Sequence, residues 1–214
     1  MEEQKVQYRI YREEDFPAVV RLIEEVWEYE AVGTPQLARS LAELDLLRYL
    51  RVRSFGQVVE REGELAGFLL GGRTDTAPDP RYDFRLRQAR RGLRRSLRGL
   101  ALTALDGLLD QVYRKLQARG GRTYDAQLLY FALREDCRGL GIGGTLYRSF
   151  CTAMADQGAK TFYLLTDTAS SYGFYEHFGM VRRAVCTVPL SIWQEGGTEF
   201  YLYDGNCGQM TVGE

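Results

Sequence analysis

Four glycines, Gly139, Gly141, Gly143 and Gly144, crowd the stretch "RGLGIGG", close behind the apolar run "AQLLYFAL" of Ala126–Leu133. Glycine that shape does not require costs conformational entropy, so a run this dense marks backbone that comes close to something. It could hold a nucleotide phosphate, form a tight structural turn, or let a helix pack hard against a strand. A strand, a short polar linker and a glycine turn opening a helix aim successive N–H groups into a concavity, where the helix dipole helps bind a pyrophosphate. Gly139, Gly141 and Gly144 also satisfy the dinucleotide fingerprint G-x-G-x-x-G, with Asp167 as an acidic partner. That fingerprint takes its first glycine directly off the strand, whereas Arg134 to Arg138 intervene here, and the chain beyond Asp167 is too short for the βαβ units still owed.

The rest of the chain supplies a mixed α/β frame for this loop. "VQYRIY" (Val6–Tyr11) alternates as a first strand, and Phe16, Val19, Val20, Leu22, Ile23 and Trp27 then recur at helical spacing. A second helix is expected around Pro35–Arg51, with Leu37, Leu41, Leu44 and Leu47 on one face. "GQVVER" and "LAGFLLGG", joined through Glu62-Gly63-Glu64, form a hairpin. From Asp75 the composition shifts: "RYDFRLRQARRGLRRSLRGL" carries eight arginines in twenty residues, with leucines continuing at helical intervals to Leu116. One or two amphipathic helices are expected there, ending at Gly120-Gly121. After the loop come the helix "GTLYRSFCTAMADQ", the strand "TFYLLT", a short helix in "SSYGFYEHFG", and a closing strand pair "VRRAVCTVPL" and "TEFYLYD". A helix crossover after an antiparallel hairpin requires a mixed sheet.

Composition excludes several function classes. The net charge of −1 argues against a dedicated nucleic-acid binder. No apolar run approaches the roughly 18 residues of a membrane span, and the start "MEEQKVQYRI" lacks a signal-peptide layout. Cys137, Cys151, Cys186 and Cys207 stand far apart and the chain holds one histidine, His177, so no metal site is expected and the thiols read as reduced cytoplasmic cysteines.

"RGLGIGG" after an apolar strand resembles the acyl-CoA pyrophosphate loop, Q/R-x-x-G-x-G/A, of the GNAT superfamily of N-acetyltransferases, with Arg138, Gly141 and Gly143 at its three defining positions. "FYEHFGMVRR" is similar to that family's FYEKxGF segment, and "YRIYREEDFPAVVRLIEEVW" resembles its first strand and helix. The resemblance covers Val6–Arg73 and Ala126–Tyr203. It implies one domain over residues 1–214, interrupted by an arginine-rich helical insertion at about 75–124. The implied fold is a mostly antiparallel central sheet flanked by helices, whose parallel central strands, "AQLLYFAL" and "TFYLLT", splay into a V for the acetyl-CoA arm. The implied activity is acetyl transfer from acetyl-CoA to a primary amine, of a small molecule or protein, by direct attack and without a metal. The backbone N–H of Leu133 would stabilise the oxyanion. The amides of Gly139, Leu140, Gly141, Ile142, Gly143 and Gly144, with Arg138, would hold the pyrophosphate. Tyr175 stands at the position that protonates the departing thiolate, and Thr168 where many relatives carry asparagine.

The base is less legible. "AQLLYFAL" contains no carboxylate; Asp125, Glu28 and Glu30 are candidates acting through water, each better read as an exposed surface acid. His177, two positions past Tyr175, is expected to point elsewhere, and Cys137 is not needed by direct transfer. The arginine block reads best as an amphipathic cover with a solvated basic face, ahead of a lid that steers anions or a contact with nucleic acid or an acidic partner. The missing carboxylate keeps an alternative in play: a non-catalytic acyl-CoA-binding module whose arginine-rich insertion engages a partner. The apolar C-terminal strands would allow pairing in a homodimer.

Overall fold

The computed structural model describes residues 5–188 and 197–208. Seven strands form one sheet: β1 (Val6–Ile10), β2 (Phe55–Arg61), β3 (Glu64–Arg73), β4 (Ala126–Leu133), β5 (Thr161–Asp167), β6 (Val181–Val188) and β7 (Thr198–Asn206), in the order β1-β2-β3-β4-β5-β7-β6. Among the described strands only the neighbours β4 and β5 run parallel. The hairpin β2–β3 turns through Glu62 and Gly63, both at positive φ (57° and 84°), a two-residue turn in place of the expected three-residue link. Pro189 and Leu190, expected at the end of "VRRAVCTVPL", lie outside the described residues. β7 lies between β5 and β6, so it pairs within the sheet on both sides.

Among the described residues six α-helices flank the sheet: α1 (Phe16–Val26), α2 (Pro35–Leu50), α3 (Asp83–Leu93), α4 (Leu97–Gly120), α5 (Ile142–Asp156) and α6 (Gly173–His177). On one face α1, α2 and α3 bury Val20, Ile23, Leu46, Leu47 and Leu93 with Val58, Phe68 and Leu70 of the sheet. On the other, α5 buries Leu146, Phe150 and Met154 with Leu69, Phe162 and Leu164. α4 crosses to the far end of the sheet, where Val112 and Leu116 pack on Phe200 and Leu202. No helix among the described residues is long and apolar enough to cross a membrane.

Two expectations change in detail. α2 buries Ala38, Ala42, Leu46 and Leu50 as well as Leu37, Leu44 and Leu47, because α1, α3 and the sheet enclose it from several sides. The leucine stripe of the arginine block does not stay buried: Leu97 is 86% and Leu100 47% exposed, since the first turn of α4 packs against the end of α3 through Gly99, where a Cβ would lie 1.8 Å from the Leu93 carbonyl. In α3 the stripe holds, with Leu86, Ala89 and Leu93 inside and Arg87, Arg90 and Arg91 outside.

β4 and β5 pair only at their first residues, Ala126 with Phe162 and Gln127 with Tyr163, although the strands run on to Leu133 and Asp167. The closed end is pinned by Asp125, whose carboxylate accepts from the N–H groups of Lys160 (2.9 Å) and Thr161 (3.0 Å) and from the Thr161 hydroxyl (3.1 Å). The opening begins where the β3–β4 register slips: Leu70 pairs with Tyr130 but Gly71 with Leu128, leaving Leu129 as an extra residue on β4. Such a bulge bends its strand and increases its twist, here away from β5.

Candidate active site

The glycine loop lies between β4 and α5. Gly139 and Gly141 both take φ of +75°, and a side chain at either would meet nothing within 4 Å, so their glycines serve backbone conformation. Gly143 and Gly144 serve packing instead: a Cβ there would sit 3.3 Å from the Phe131 ring and 3.1 Å from the Phe178 ring. Among the described residues, no backbone N–H from Gly139 to Gly144 has an acceptor; the first bond of the helix is Thr145 N–H to the Gly141 carbonyl at 3.2 Å. These unsatisfied donors and the helix dipole make the start of α5 a receptor for an anion. Arg138 is exposed beside them and forms no ion pair among the described residues.

At the end of β4, Arg134 donates its N–H to the Ala66 carbonyl of β3 at 2.8 Å. Strand alternation therefore turns the N–H of Leu133 to the other edge of β4, the edge that β5 has left. The Leu133 side chain is partly buried against the α5-side core. α6 docks beside it through Phe174, whose ring lies 5.5 Å from that of Phe131 and 6.1 Å from that of Tyr147. The next residue, Tyr175, is half-buried, its ring 5.9 Å from Tyr203, and its hydroxyl has no partner among the described residues. Burial, reinforced by the charge of Asp167, holds its phenol well above the ordinary tyrosine pKa, in the protonated form.

Thr168 follows β5 with its hydroxyl oxygen buried and unpartnered. His177 is exposed, its ring edge-on to Phe178 at 5.4 Å. Cys137 is buried, with Arg61 reaching its sulfur at 3.6 Å.

The acids named from sequence take other places. Asp125 belongs to the closed end of the strands, where the N–H groups it accepts hold its carboxyl below the usual range. Glu28 and Glu30 are exposed, and Asp167 caps the turn after β5 by accepting from Ala169 and Ser170.

The sequence reading missed Asp45. It lies in α2 between the buried Leu44 and Leu46, and its Oδ2 accepts from the Tyr29 hydroxyl at 2.5 Å. Burial pushes its pKa up to about 6, although the Tyr29 bond and nearby Arg48 act to lower it. Around it stand Tyr49, 5.0 Å ring to ring from Tyr130 of β4, with Trp27 on Tyr130 at 5.1 Å. An acid breaking the leucine run "LAELDLL" was the available signal.

A family model described as the acetyltransferase (GNAT) family matches residues 16–180. Among solved structures, a protein described as SsHAT superposes with a TM-score of 0.63 at 19% identity, covering 96% of this chain and 100% of that one. Ard1 from Thermoplasma volcanium gives 0.53 at 19% identity, over 94% of this chain and 97% of that one. An N-acetyltransferase from Staphylococcus aureus Mu50 gives 0.53 at 13%, over 95% and 99%. At these identities the likeness is one of fold. No curated protein matches the chain by sequence.

Proposed function

The chain belongs to the GNAT family of acetyltransferases, and from that premise we propose that it moves acetyl from acetyl-CoA to a primary amine by direct attack. The observation that carries the reading is the row of acceptorless amides from Gly139 to Gly144 at the start of α5. A pyrophosphate offers the oxygens those donors lack, and Arg138, which pairs with no acid among the described residues, adds a guanidinium beside them.

The remaining roles follow along the split. The arm of acetyl-CoA lies between β4 and β5, and the Leu133 N–H faces the thioester carbonyl, where it stabilises the developing oxyanion. The amine nitrogen forms its bond to the carbonyl carbon as the carbon–sulfur bond breaks. Tyr175, protonated at neutral pH, gives its proton to the departing sulfur. The helices α3 and α4 are an insertion within this one domain, not a separate unit.

Calorimetric titration tests the reading. Acetyl-CoA should bind the wild-type protein in the low-micromolar range, and an Arg138→Glu, Gly141→Asp variant that still folds should lose that binding. Absence of acetyl-CoA binding to the wild type, or NAD binding in its place, contradicts it.

A further inference from the structure

On the face of the sheet that carries Tyr130, α2 lies over β4 and α4 lies over β7 and β6. The space between these helices therefore lies over the place where β4 and β5 part. Arg48 of α2 bridges it, pairing through its two terminal guanidinium nitrogens with Asp106 of α4, one bond at 2.6 Å, and reaching Asp110 at 3.6 Å.

The inner wall is built from Asp45, Tyr49, Tyr113 and Tyr130. None of these three phenol hydroxyls has a hydrogen-bond partner among the described residues, and all four side chains keep partial exposure. Burial nonetheless drives the pKa of each phenol upward, and the charge of Asp45 adds to every one of those shifts. Partial exposure of all four side chains beside the Arg48–Asp106 bridge leaves a cleft between α2 and α4 through which they meet solvent. A carboxylate among aromatic faces attracts a cation, and ring quadrupoles strengthen the attraction where water is excluded. A ligand carboxylate would meet Asp45 and, at the rim, Asp110, with Arg48 already engaged by Asp106. Trp27 against Tyr130 extends the apolar surface behind the rings.

We propose that this cleft receives the acceptor as a primary ammonium on an apolar arm lacking a carboxylate, and that Asp45 takes the proton which the ammonium must lose before its nitrogen attacks. The proposal rests on the acetyltransferase reading and names the acceptor class and base for that same site. An ammonium has no lone pair, so attack waits on this transfer. One proton passes from nitrogen to the Asp45 carboxylate, giving a neutral amine and a carboxylic acid. The amine then forms the C–N bond as the C–S bond breaks. Tyr175 protonates the sulfur and regains a proton from nitrogen, leaving amide and free thiol, while Asp45 returns its proton to solvent. Nothing is oxidised or reduced.

Asp45 suits this task because its pKa is raised to about 6, which leaves it ionised at pH 7 yet still basic. Tyr29 from the turn after α1, Arg48 from its own helix and Asp106 from α4 are the groups that set that value. Tyr49, Tyr113 and Tyr130 face it as neutral phenols, and the charged groups beyond them are Asp110, near Tyr49 and Tyr113, and Asp167, near Tyr113.

The test pairs tyramine with tyrosine, which differ by one carboxylate, and reads coenzyme A thiol release alongside acetyl-CoA calorimetry. Tyramine should exceed tyrosine in kcat/KM by at least about 100-fold. Asp45→Asn should cut kcat/KM for tyramine by about 100-fold and remove the limb of the pH profile near 6, with acetyl-CoA affinity changed by less than about 2-fold. Asp45→Glu should restore part of that limb, which a purely structural role would not do. With acetyl-CoA bound, equal use of tyrosine, no turnover of tyramine or hexylamine, or an Asn variant with unchanged rate and profile overturns the proposal. Failure of acetyl-CoA itself to bind overturns the acetyltransferase reading beneath it.

Discussion

The Tyr29 hydroxyl donates to Asp45 at 2.5 Å, joining the turn after α1 to the middle of α2 on the face of the sheet that carries Tyr130. The bond keeps a carboxylate inside the protein, at an electrostatic cost that pH reveals. In the unfolded chain Asp45 titrates near 3.8; in the fold its pKa is about 6. The folded state therefore binds this proton more tightly, so the group's contribution to stability is fully present below pH 3.8 and is lost as pH rises through 6. A shift of this size corresponds to about 3 kcal/mol. Asp45→Asn should thus gain stability relative to wild type between pH 4 and pH 7, measured by denaturant unfolding at each pH. A difference independent of pH would contradict the assignment.

At Gly141 the backbone sits at φ +75° in open space. Alanine there should lower stability by about 1 kcal/mol through strain alone, and asparagine, which tolerates this conformation, by less. Thermal unfolding of the two variants checks the order. Both should also weaken acetyl-CoA, since the loop's amides depend on that conformation to point outward together.

Tyr175 stays protonated because burial and Asp167 raise its pKa. Tyr175→Phe should reduce kcat by about 100-fold while leaving acetyl-CoA affinity intact. With the phenol neutral throughout, the loss should be the same at pH 6 and pH 8.5, as rate profiles of the two proteins would show.

Asp125 accepts three hydrogen bonds at the closed end of β4 and β5. Asp125→Ala should lower the melting temperature by about 4 °C, because those donors lose their partner where the strands depend on them. It should leave the acid limb of the rate profile in place, in contrast to Asp45→Asn.

Much of this architecture was legible in local sequence. The apolar run "AQLLYFAL" gave β4 to the residue, and the leucine spacing with Gly120-Gly121 gave the end of α4. Such features are written in neighbouring residues, through periodicity and turn chemistry. The surroundings of Asp45 were not. Asp45 sits in a leucine-rich helix and gains its setting from Tyr29, Asp106 and Tyr130, which only the tertiary fold brings together. Asp125, named from sequence as a possible base, turned out to anchor a strand because its partners lie 35 and 36 positions away, on and just before β5. The bulge at Leu129, which opens the split, is likewise a property of pairing with β3 and leaves no mark in β4 alone.

The central claim is that the amides from Gly139 to Gly144 hold the pyrophosphate of acetyl-CoA. Amide-resolved NMR of the nitrogen-15-labelled protein, with and without acetyl-CoA, tests it most directly. The account predicts that the resonances from Gly139 to Gly144 and of Leu133 move most and that those of Gly63 and Gly158, remote turn glycines, stay in place. Binding that leaves the loop amides unmoved would contradict it.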